Sequence, residues 1–175
     1  MKPLFLVPTA LALLLACAGT GAFAMEAEGN AEAQRFGSWI AKCEAPQEGQ
    51  QGGCFILQEL VLREGGQRVL QMAIGYVPGD DSPIAALSLP LGMSLPAGVV
   101  MEVPGARAMH FPVERCEPSG CRAGARLESD FLRALGTAER MTVRFNDAKR
   151  EPIEVAVSLE GFSAGLAALK AAPQP

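Results

Sequence analysis

From residue 36 to residue 159 the chain is a series of short apolar segments, which Gly, Pro or Asp residues separate from one another. The pattern is clearest in MTVRFN (141–146), where Met141, Val143 and Phe145 alternate with polar residues. In IEVAVSL (153–159), every second residue is Ile, Val or Leu. A period of two is typical of a strand with one buried face. The sequence therefore predicts a fold made mainly of antiparallel strands.

About nine segments have this character, and two others have the spacing of helices. The strand segments are 36–43, 54–62, 68–77, 84–91, 99–103, 107–116, 121–127, 141–146 and 153–159. The first predicted helix, 128–135, would be capped by Ser129 or Asp130 and end at Gly136, and the second, 163–170, would be capped by Ser163. Short strands without a βαβ rhythm predict an all-β sandwich. A single domain, residues 36–170, would follow a flexible lead-in (25–35) and precede a C-terminal tail (171–175).

The first 24 residues have the order of a secretory signal peptide. Lys2 precedes an apolar run, and the segment ends in AFA (22–24), so cleavage is predicted between Ala24 and Met25. An alternative is a lipobox, LLAC (14–17), in which Cys17 would carry a lipid anchor. No uninterrupted apolar stretch reaches the roughly 20 residues that a spanning helix needs, so no transmembrane segment is predicted. The protein is expected in the periplasm, with outer-membrane association or secretion as alternatives.

The charge of the exported chain argues against one class of partner. The formal net charge of −4 becomes −5 without residues 1–24, because the only charged residue of that segment is Lys2. An acidic chain lacks the basic footprint of a nucleic-acid-binding protein. Its net charge does not favour attraction to anionic lipid or lipopolysaccharide either. The expected partner is a protein or another component of the cell envelope.

Four cysteines remain in the exported chain under either reading of Cys17, and an even number in an oxidising compartment predicts disulfides. Three pairings are open, and proximity favours Cys43–Cys54 and Cys116–Cys121. EPSG (117–120) suits a four-residue hairpin turn, which would bring Cys116 and Cys121 face to face. A redox site and a metal site are the alternatives. Their usual signatures are two intervening residues for a redox dithiol and three or four ligands for zinc.

Candidates for catalysis are few. His110 is the only histidine and lies in an apolar strand segment, so it is interpreted as an ordinary strand residue. The carboxylate pairs Asp80-Asp81 and Glu59/Glu64 fit turns or an acidic surface better than an acid–base pair. Trp39 is interpreted as a core residue, since it alternates with Ala41 and Cys43. No catalytic residue, cofactor-binding residue or metal ligand is predicted.

The most apolar stretch of the exported chain, 87–103, has two interpretations. Alternation favours core, with Leu87, Leu89 and Leu91 on one face and Val99, Met101 and Val103 on another. The alternative is a surface that faces a partner or a membrane, because contiguous exposed apolar surface usually marks an interaction site.

Five pieces of sequence carry a family resemblance: FGSW (36–39) followed by Cys43, then Cys54, LSLPLGMSLPAGV (87–99), RCEPSGC (115–121) and LEGFSAGLAAL (159–169). Their order and spacing, over about residues 36–169, resemble the invasion-associated locus B family of small exported proteins of Gram-negative α-proteobacteria and relatives. Ser38 departs from the pattern, because many members carry Asp there. The resemblance implies an immunoglobulin-like β-sandwich and, in pathogenic members, a link to host-cell entry. It brings no catalytic residue and no cofactor.

The sequence thus predicts a non-enzymatic envelope protein that acts as a surface-binding module, with a role in host-cell entry or envelope integrity. The alternative is a periplasmic hydrolase or a chaperone-like factor. Replacing His110 or a carboxylate would distinguish a surface-binding protein from an enzyme, since an enzyme should lose its function at some such residue while staying folded.

Overall fold

Eleven strands, two α-helices and one 3₁₀-helix make up the part of the chain that the computed structural model describes, which is residues 33–45, 52–63, 65–77 and 81–171. The strands are β1 (Gln34–Phe36), β2 (Trp39–Glu44), β3 (Gly53–Val61), β4 (Arg68–Gly75), β5 (Ile84–Leu89), β6 (Val99–Glu102), β7 (Met109–Phe111), β8 (Val113–Glu117), β9 (Gly120–Arg126), β10 (Arg140–Asn146) and β11 (Pro152–Ser158). The helices are α1 (Ser129–Thr137) and α2 (Phe162–Ala171), and the 3₁₀-helix is Leu95–Ala97.

The strands form two antiparallel sheets. One has seven strands in the order β1-β2-β3-β4-β5-β9-β8, and the other has four in the order β11-β10-β6-β7. The predicted all-β sandwich with two short helices is confirmed. The described residues contain eleven strands rather than about nine, because two predicted segments each divide into two strands.

The first divided segment is 36–43, where a turn separates β1 from β2. Gly37 has φ 53°, a left-handed conformation that ends a strand and that glycine adopts without steric cost. β1 begins at Gln34, two residues before the predicted start of the domain.

The second divided segment is 107–116, which Pro112 divides into β7 and β8. Proline has no N–H to donate to a ladder, so the chain leaves one sheet there and enters the other. β7 pairs with β6 in the four-stranded sheet, and β8 pairs with β9 in the seven-stranded sheet.

Alternate residues of both sheets form one core between them. Leu70, Met72 and Ile74 of β4 are fully buried, and so are Val143 of β10 and Val157 of β11. Met141 and Phe145 are also buried, as their period of two predicts. Of the stretch 87–103, the side chains of Leu87, Leu89, Val99, Met101 and Val103 are buried, which confirms the core interpretation for most of it. Leu91 is an error of that prediction: β5 ends at Leu89, so the strand period does not reach Leu91, and its side chain is 55% exposed.

Both helices lie close to their predicted positions, but their caps differ. The N-cap of α1 is Glu128, which makes no side-chain cap hydrogen bond, and the helix continues past Gly136 to Thr137. α2 begins at Phe162, one residue before the predicted cap. Ser163 instead donates a hydrogen bond from its Oγ to the backbone oxygen of Gly136, 3.3 Å away, and so joins the two helices.

The N-terminal strands of the domain contact its C-terminal segment around Trp39. Its indole Nε1 donates a hydrogen bond to the backbone oxygen of Ser158 at 3.0 Å, and its ring meets the ring of Phe162 edge-on at 5.5 Å. The backbone N–H of Ser38 donates to the backbone oxygen of Glu160. FGSW and LEGF, two of the pieces that carry the family resemblance, are therefore in direct contact. Trp39 is the core residue that the sequence predicts.

Candidate binding surface

Each of the two disulfides joins residues that face each other on adjacent strands. Cys43 of β2 is bonded to Cys54 of β3, and Cys116 of β8 is bonded to Cys121 of β9. These are the two pairs that proximity favoured. They lie at opposite ends of the seven-stranded sheet, because Cys54 is next to Phe55, which pairs with Gly75 at the end of β4, whereas Cys121 pairs with Leu89 at the end of β5.

The end that holds the Cys116–Cys121 disulfide is called the clasp end from here on. β3 and β5 finish at this end and β4 begins there, since Val61 pairs with Arg68 and Leu89 pairs with Cys121. The loop after β5 then runs towards the same end of the four-stranded sheet. Met93 forms an isolated bridge with Asp147, and the backbone N–H of Ser94 donates to the backbone oxygen of Asn146. Four connections therefore meet here: 62–67, 90–98, 118–119 and 147–151.

Four of the five large apolar side chains that are exposed among the described residues lie in these connections or next to them. They are Val61 (53% exposed), Leu62 (50%), Leu91 (55%) and Leu95 (49%). The fifth is Val77 (38%), which lies two residues beyond Gly75, at the opposite end of the sheet. In the part of the chain that the structure describes, the exposed large apolar side chains are thus concentrated at the clasp end.

A depression of about 320 Å³ opens between these loops, and its walls come from β4, the end of β5 and the turn of the clasp hairpin. It is lined by Gln67, Arg68, Leu89, Pro90, Leu91, Pro118, Ser119 and Gly120. The turn is pressed against β5, because a Cβ atom at Gly120 would lie 2.5 Å from the backbone oxygen of Leu89. Only glycine fits there, and its φ of 133° is also unfavourable for other residues.

Arg68 joins the strand wall of the depression to the clasp turn. Its Nη1 donates to Oε1 of Gln71 at 3.2 Å, and its Nη2 donates to the backbone oxygen of Ser119 at 3.4 Å. Both acceptors are neutral, so these bonds leave its positive charge uncompensated. Arg144 on the outer face of the four-stranded sheet is different, because it pairs with both Glu102 and Glu154.

Further charges lie at the rim of the clasp end. Arg63 directly follows Leu62, and Lys149 and Arg150 are exposed in the turn between β10 and β11. Oδ1 of Asp147 accepts hydrogen bonds from the backbone N–H groups of Lys149 and Glu151, both at 2.8 Å, which fixes the shape of that turn. Glu117 forms an ion pair with Arg115 at 2.9 Å.

The other sequence candidates do not converge. His110 is exposed on β7, opposite Val100, and Glu59 is exposed on β3. Asp81 is exposed in a bend, whereas Asp80, Glu64, the predicted cleavage site Ala24/Met25 and Cys17 lie outside the described residues. Within the described ranges, no group of three or more His, Cys, Asp or Glu side chains could hold a metal ion. In the same ranges, no helix has the length and apolarity needed to cross a membrane.

Sequence reasoning gave an interaction surface only as the alternative for 87–103, which contains Leu91 and Leu95, and it did not bring Val61 and Leu62 to the same place. The signals were present but local: Pro90 interrupts the strand before Leu91, and Leu62 directly precedes a hairpin turn. Taken alone, Leu62 and Leu91 are each predicted to be the last residue of a core strand. Only the pairing of distant strands brings them to one end of the molecule.

Comparison with known proteins connects the chain to one family. The family model described as "Invasion associated locus B (IalB) protein" matches residues 39–170. The crystal structure of invasion associated protein B from Bartonella henselae is similar in fold, with a TM-score of 0.69 and 22% sequence identity over 79% of this chain and 96% of that one. No curated protein matches the sequence.

Proposed function

The chain belongs to the invasion associated locus B family, and on that premise we propose that it is a non-enzymatic protein of the cell envelope that acts by binding through its clasp end. One observation carries the proposal: four exposed Val and Leu side chains lie together at this end, whereas the remaining exposed one, among the described residues, is at the other. Single exposed apolar residues are common on any protein, but a group of them usually marks an interaction site.

The clasp end is also held in a fixed shape, which favours binding. The Cys116–Cys121 disulfide, the contact of Gly120 with the backbone of Leu89 and the hydrogen bond from Arg68 to Ser119 all restrain the same turn. A surface that is ordered before binding loses less conformational entropy when a partner arrives.

Two disulfides support export to an oxidising compartment, and the periplasm is the one that the N-terminal sequence indicates. We expect the intact mass of protein from the periplasmic fraction to correspond to a chain that begins at Met25. A mass that corresponds to a diacylglyceryl-modified Cys17 would instead identify an anchored lipoprotein.

The experiment is a sedimentation assay of the mature protein with envelope vesicles prepared from the producing bacterium. We expect the unaltered protein to sediment with the vesicles and the double variant Leu62→Ser/Leu91→Ser to stay in the supernatant. Val77→Ser is the matched control, because it removes an exposed apolar side chain from the opposite end. Equal binding by the unaltered protein and the double variant would refute the proposal.

A cellular readout beside the binding assay tests the non-enzymatic part of the proposal. His110→Ala and Asp81→Asn change exposed residues outside the clasp-end connections, and both variants should bind as the unaltered protein does. A cellular function lost in either variant, with binding and folding intact, would indicate catalysis.

A further inference from the structure

We propose that the clasp end docks on the surface of an anionic phospholipid bilayer, with its apolar side chains at the level of the headgroups and its basic side chains against the lipid phosphates. This inference rests on the proposed function and names the partner of the same surface. Two independent features of the clasp end support it: the placement of its apolar side chains and the sign of its local charge.

The apolar side chains project from separate connections rather than from the walls of one groove. Val61 and Leu62 lie where β3 ends, Leu91 lies in the turn after β5, and Leu95 is the first residue of the 3₁₀-helix. Of these four, only Leu91 also lines the depression. A peptide that binds in a groove needs continuous apolar walls, whereas the interface of a bilayer can take up apolar side chains from several neighbouring loops at once.

The charges at the clasp end have a small positive excess, although the whole chain is acidic with a formal net charge of −4. Among the described residues, the basic ones in these connections and in the adjoining rows of the seven-stranded sheet are Arg63, Arg68, Arg115, Arg122, Lys149 and Arg150, and the acidic ones are Glu59, Glu117, Asp147 and Glu151. Glu64, which lies outside the described residues, adds one more carboxylate to the sequence of the first loop. The positive excess persists when Glu64 is included.

The acidic residues are also partly engaged within the protein. Glu117 pairs with Arg115, and Asp147 accepts two backbone hydrogen bonds, whereas the hydrogen bonds of Arg68 go to neutral oxygens. Each basic residue close to an anionic membrane strengthens binding about fivefold. The net charge of the chain had argued against anionic lipid, but net charge averages over the whole surface and conceals an end of opposite sign.

The test uses the mature protein and synthetic vesicles that contain no protein. One set is an equal mixture of phosphatidylcholine and phosphatidylglycerol, and the other is phosphatidylcholine alone. We expect sedimentation with the anionic set, weak sedimentation with the neutral set, and loss of binding when the salt concentration is raised, because salt screens exposed charges.

Three variants separate the contribution of the apolar side chains to vesicle binding from that of the basic side chains. Leu62→Ser/Leu91→Ser should lower the partition coefficient at least tenfold, since two half-exposed leucines no longer enter the interface. Arg63→Gln/Arg150→Gln should lower it roughly 25-fold on anionic vesicles, about fivefold for each charge removed, and leave the weak binding to neutral vesicles unchanged. Val77→Ser should bind as the unaltered protein does, and circular dichroism should show that all three variants are folded.

Equal binding to both kinds of vesicle, or equal losses from Val77→Ser and from the clasp-end variants, would overturn the inference. Sedimentation with envelope vesicles but not with synthetic anionic ones would also overturn it. In that case the proposed function would stand, and the partner would be an envelope protein or another envelope component. Failure to bind either preparation would refute both proposals.

Discussion

Gly161 and Gly105 have similar backbone conformations but different surroundings. Their φ angles are 82° and 87°, in the left-handed region that glycine adopts at no steric cost. A Cβ atom at Gly105 would meet nothing within 4 Å, whereas one at Gly161 would lie 2.2 Å from the backbone oxygen of Phe36. Gly37 has the reciprocal constraint, because its Cβ would lie 2.5 Å from the backbone oxygen of Glu160. The two glycines therefore allow the turn after β1 and the turn before α2 to touch.

Alanine at these two positions should separate backbone strain from steric overlap. Gly105→Ala should lower the free energy of unfolding by about 1–2 kcal/mol, the cost of the left-handed conformation alone. Gly161→Ala adds a collision with backbone that cannot rotate away, so it should cost roughly 3 kcal/mol or more. Chemical denaturation of both variants measures the difference. Equal costs would show that the turns do not pack as closely as described.

Leu89 and Leu91 are two residues apart in the sequence, but their side chains differ in burial. Leu89 is 3% exposed and Leu91 is 55% exposed. Leu89→Ala should lower the free energy of unfolding by roughly 2–5 kcal/mol, because it opens a cavity in the core. Leu91→Ala should change it by less than about 0.5 kcal/mol, as surface substitutions usually do. A large loss of stability in Leu91→Ala, measured by urea denaturation, would mean that its side chain is part of the core.

At the scale of elements, the two disulfide-linked strand pairs form a natural comparison. The β2–β3 pair is linked by Cys43–Cys54, with a sequence separation of 11, and the β8–β9 hairpin is linked by Cys116–Cys121, with a separation of 5. The Cys43–Cys54 disulfide is at the end of the seven-stranded sheet opposite the clasp end, and the Cys116–Cys121 disulfide borders the depression. Both restrain the unfolded chain, but only Cys116–Cys121 lies at the clasp end, the surface that we propose to bind.

Removing either disulfide should lower the stability of the protein and leave the clasp end in place. Cys116→Ser/Cys121→Ala should lower the free energy of unfolding by about 2 kcal/mol. Cys43→Ser/Cys54→Ala should lower it by about 3 kcal/mol, because the loop that Cys43–Cys54 closes is longer. Alanine is chosen at Cys121 and Cys54 because both are buried.

Sedimentation with envelope vesicles should persist in both variants wherever they stay folded. The strand pairing of the hairpin and the contact of Gly120 with Leu89 still position the clasp turn without the disulfide. A folded Cys116→Ser/Cys121→Ala protein that no longer sediments would mean that the disulfide itself, rather than the fold, holds the surface.

At the scale of the whole molecule, the backbone oxygen of Ser158 joins the two sheets. Ser158 ends β11, an edge strand of the four-stranded sheet, and its oxygen accepts hydrogen bonds from Nε1 of Trp39 and Nε2 of Gln58, both at 3.0 Å. Both donors belong to the seven-stranded sheet. The β11 edge is thereby tied to the facing sheet, and α2 packs against β1, β2 and β3 beside it.

The two sheets should consequently unfold in one transition. Trp39 is the only tryptophan of the chain, so its fluorescence reports the contact between the sheets, while far-ultraviolet circular dichroism reports the strands of both. We expect the two signals to give the same midpoint in guanidinium chloride, as a cooperative single domain does. A fluorescence midpoint clearly below that of circular dichroism would mean that the sheets separate before they unfold.

The sequence alone determined the features that depend on local pattern. A period of two fixed which residues of β10 and β11 face the core, and the short spacing between cysteines predicted both disulfides. The pieces that carry the family resemblance could also be recognised in the sequence, because FGSW and LEGF need particular residues to pack against each other.

Only the tertiary structure decided the rest. Periodicity predicts that 107–116 is extended. It does not predict that Pro112 divides this segment between two sheets, because that depends on which strand pairs with each half. It also does not place Leu62, Leu91 and Leu95 at one end of the molecule. The pattern of a strand depends on neighbours in sequence. The meeting of loops depends on pairing between strands that are far apart in the chain, and the clasp end is formed by such pairing.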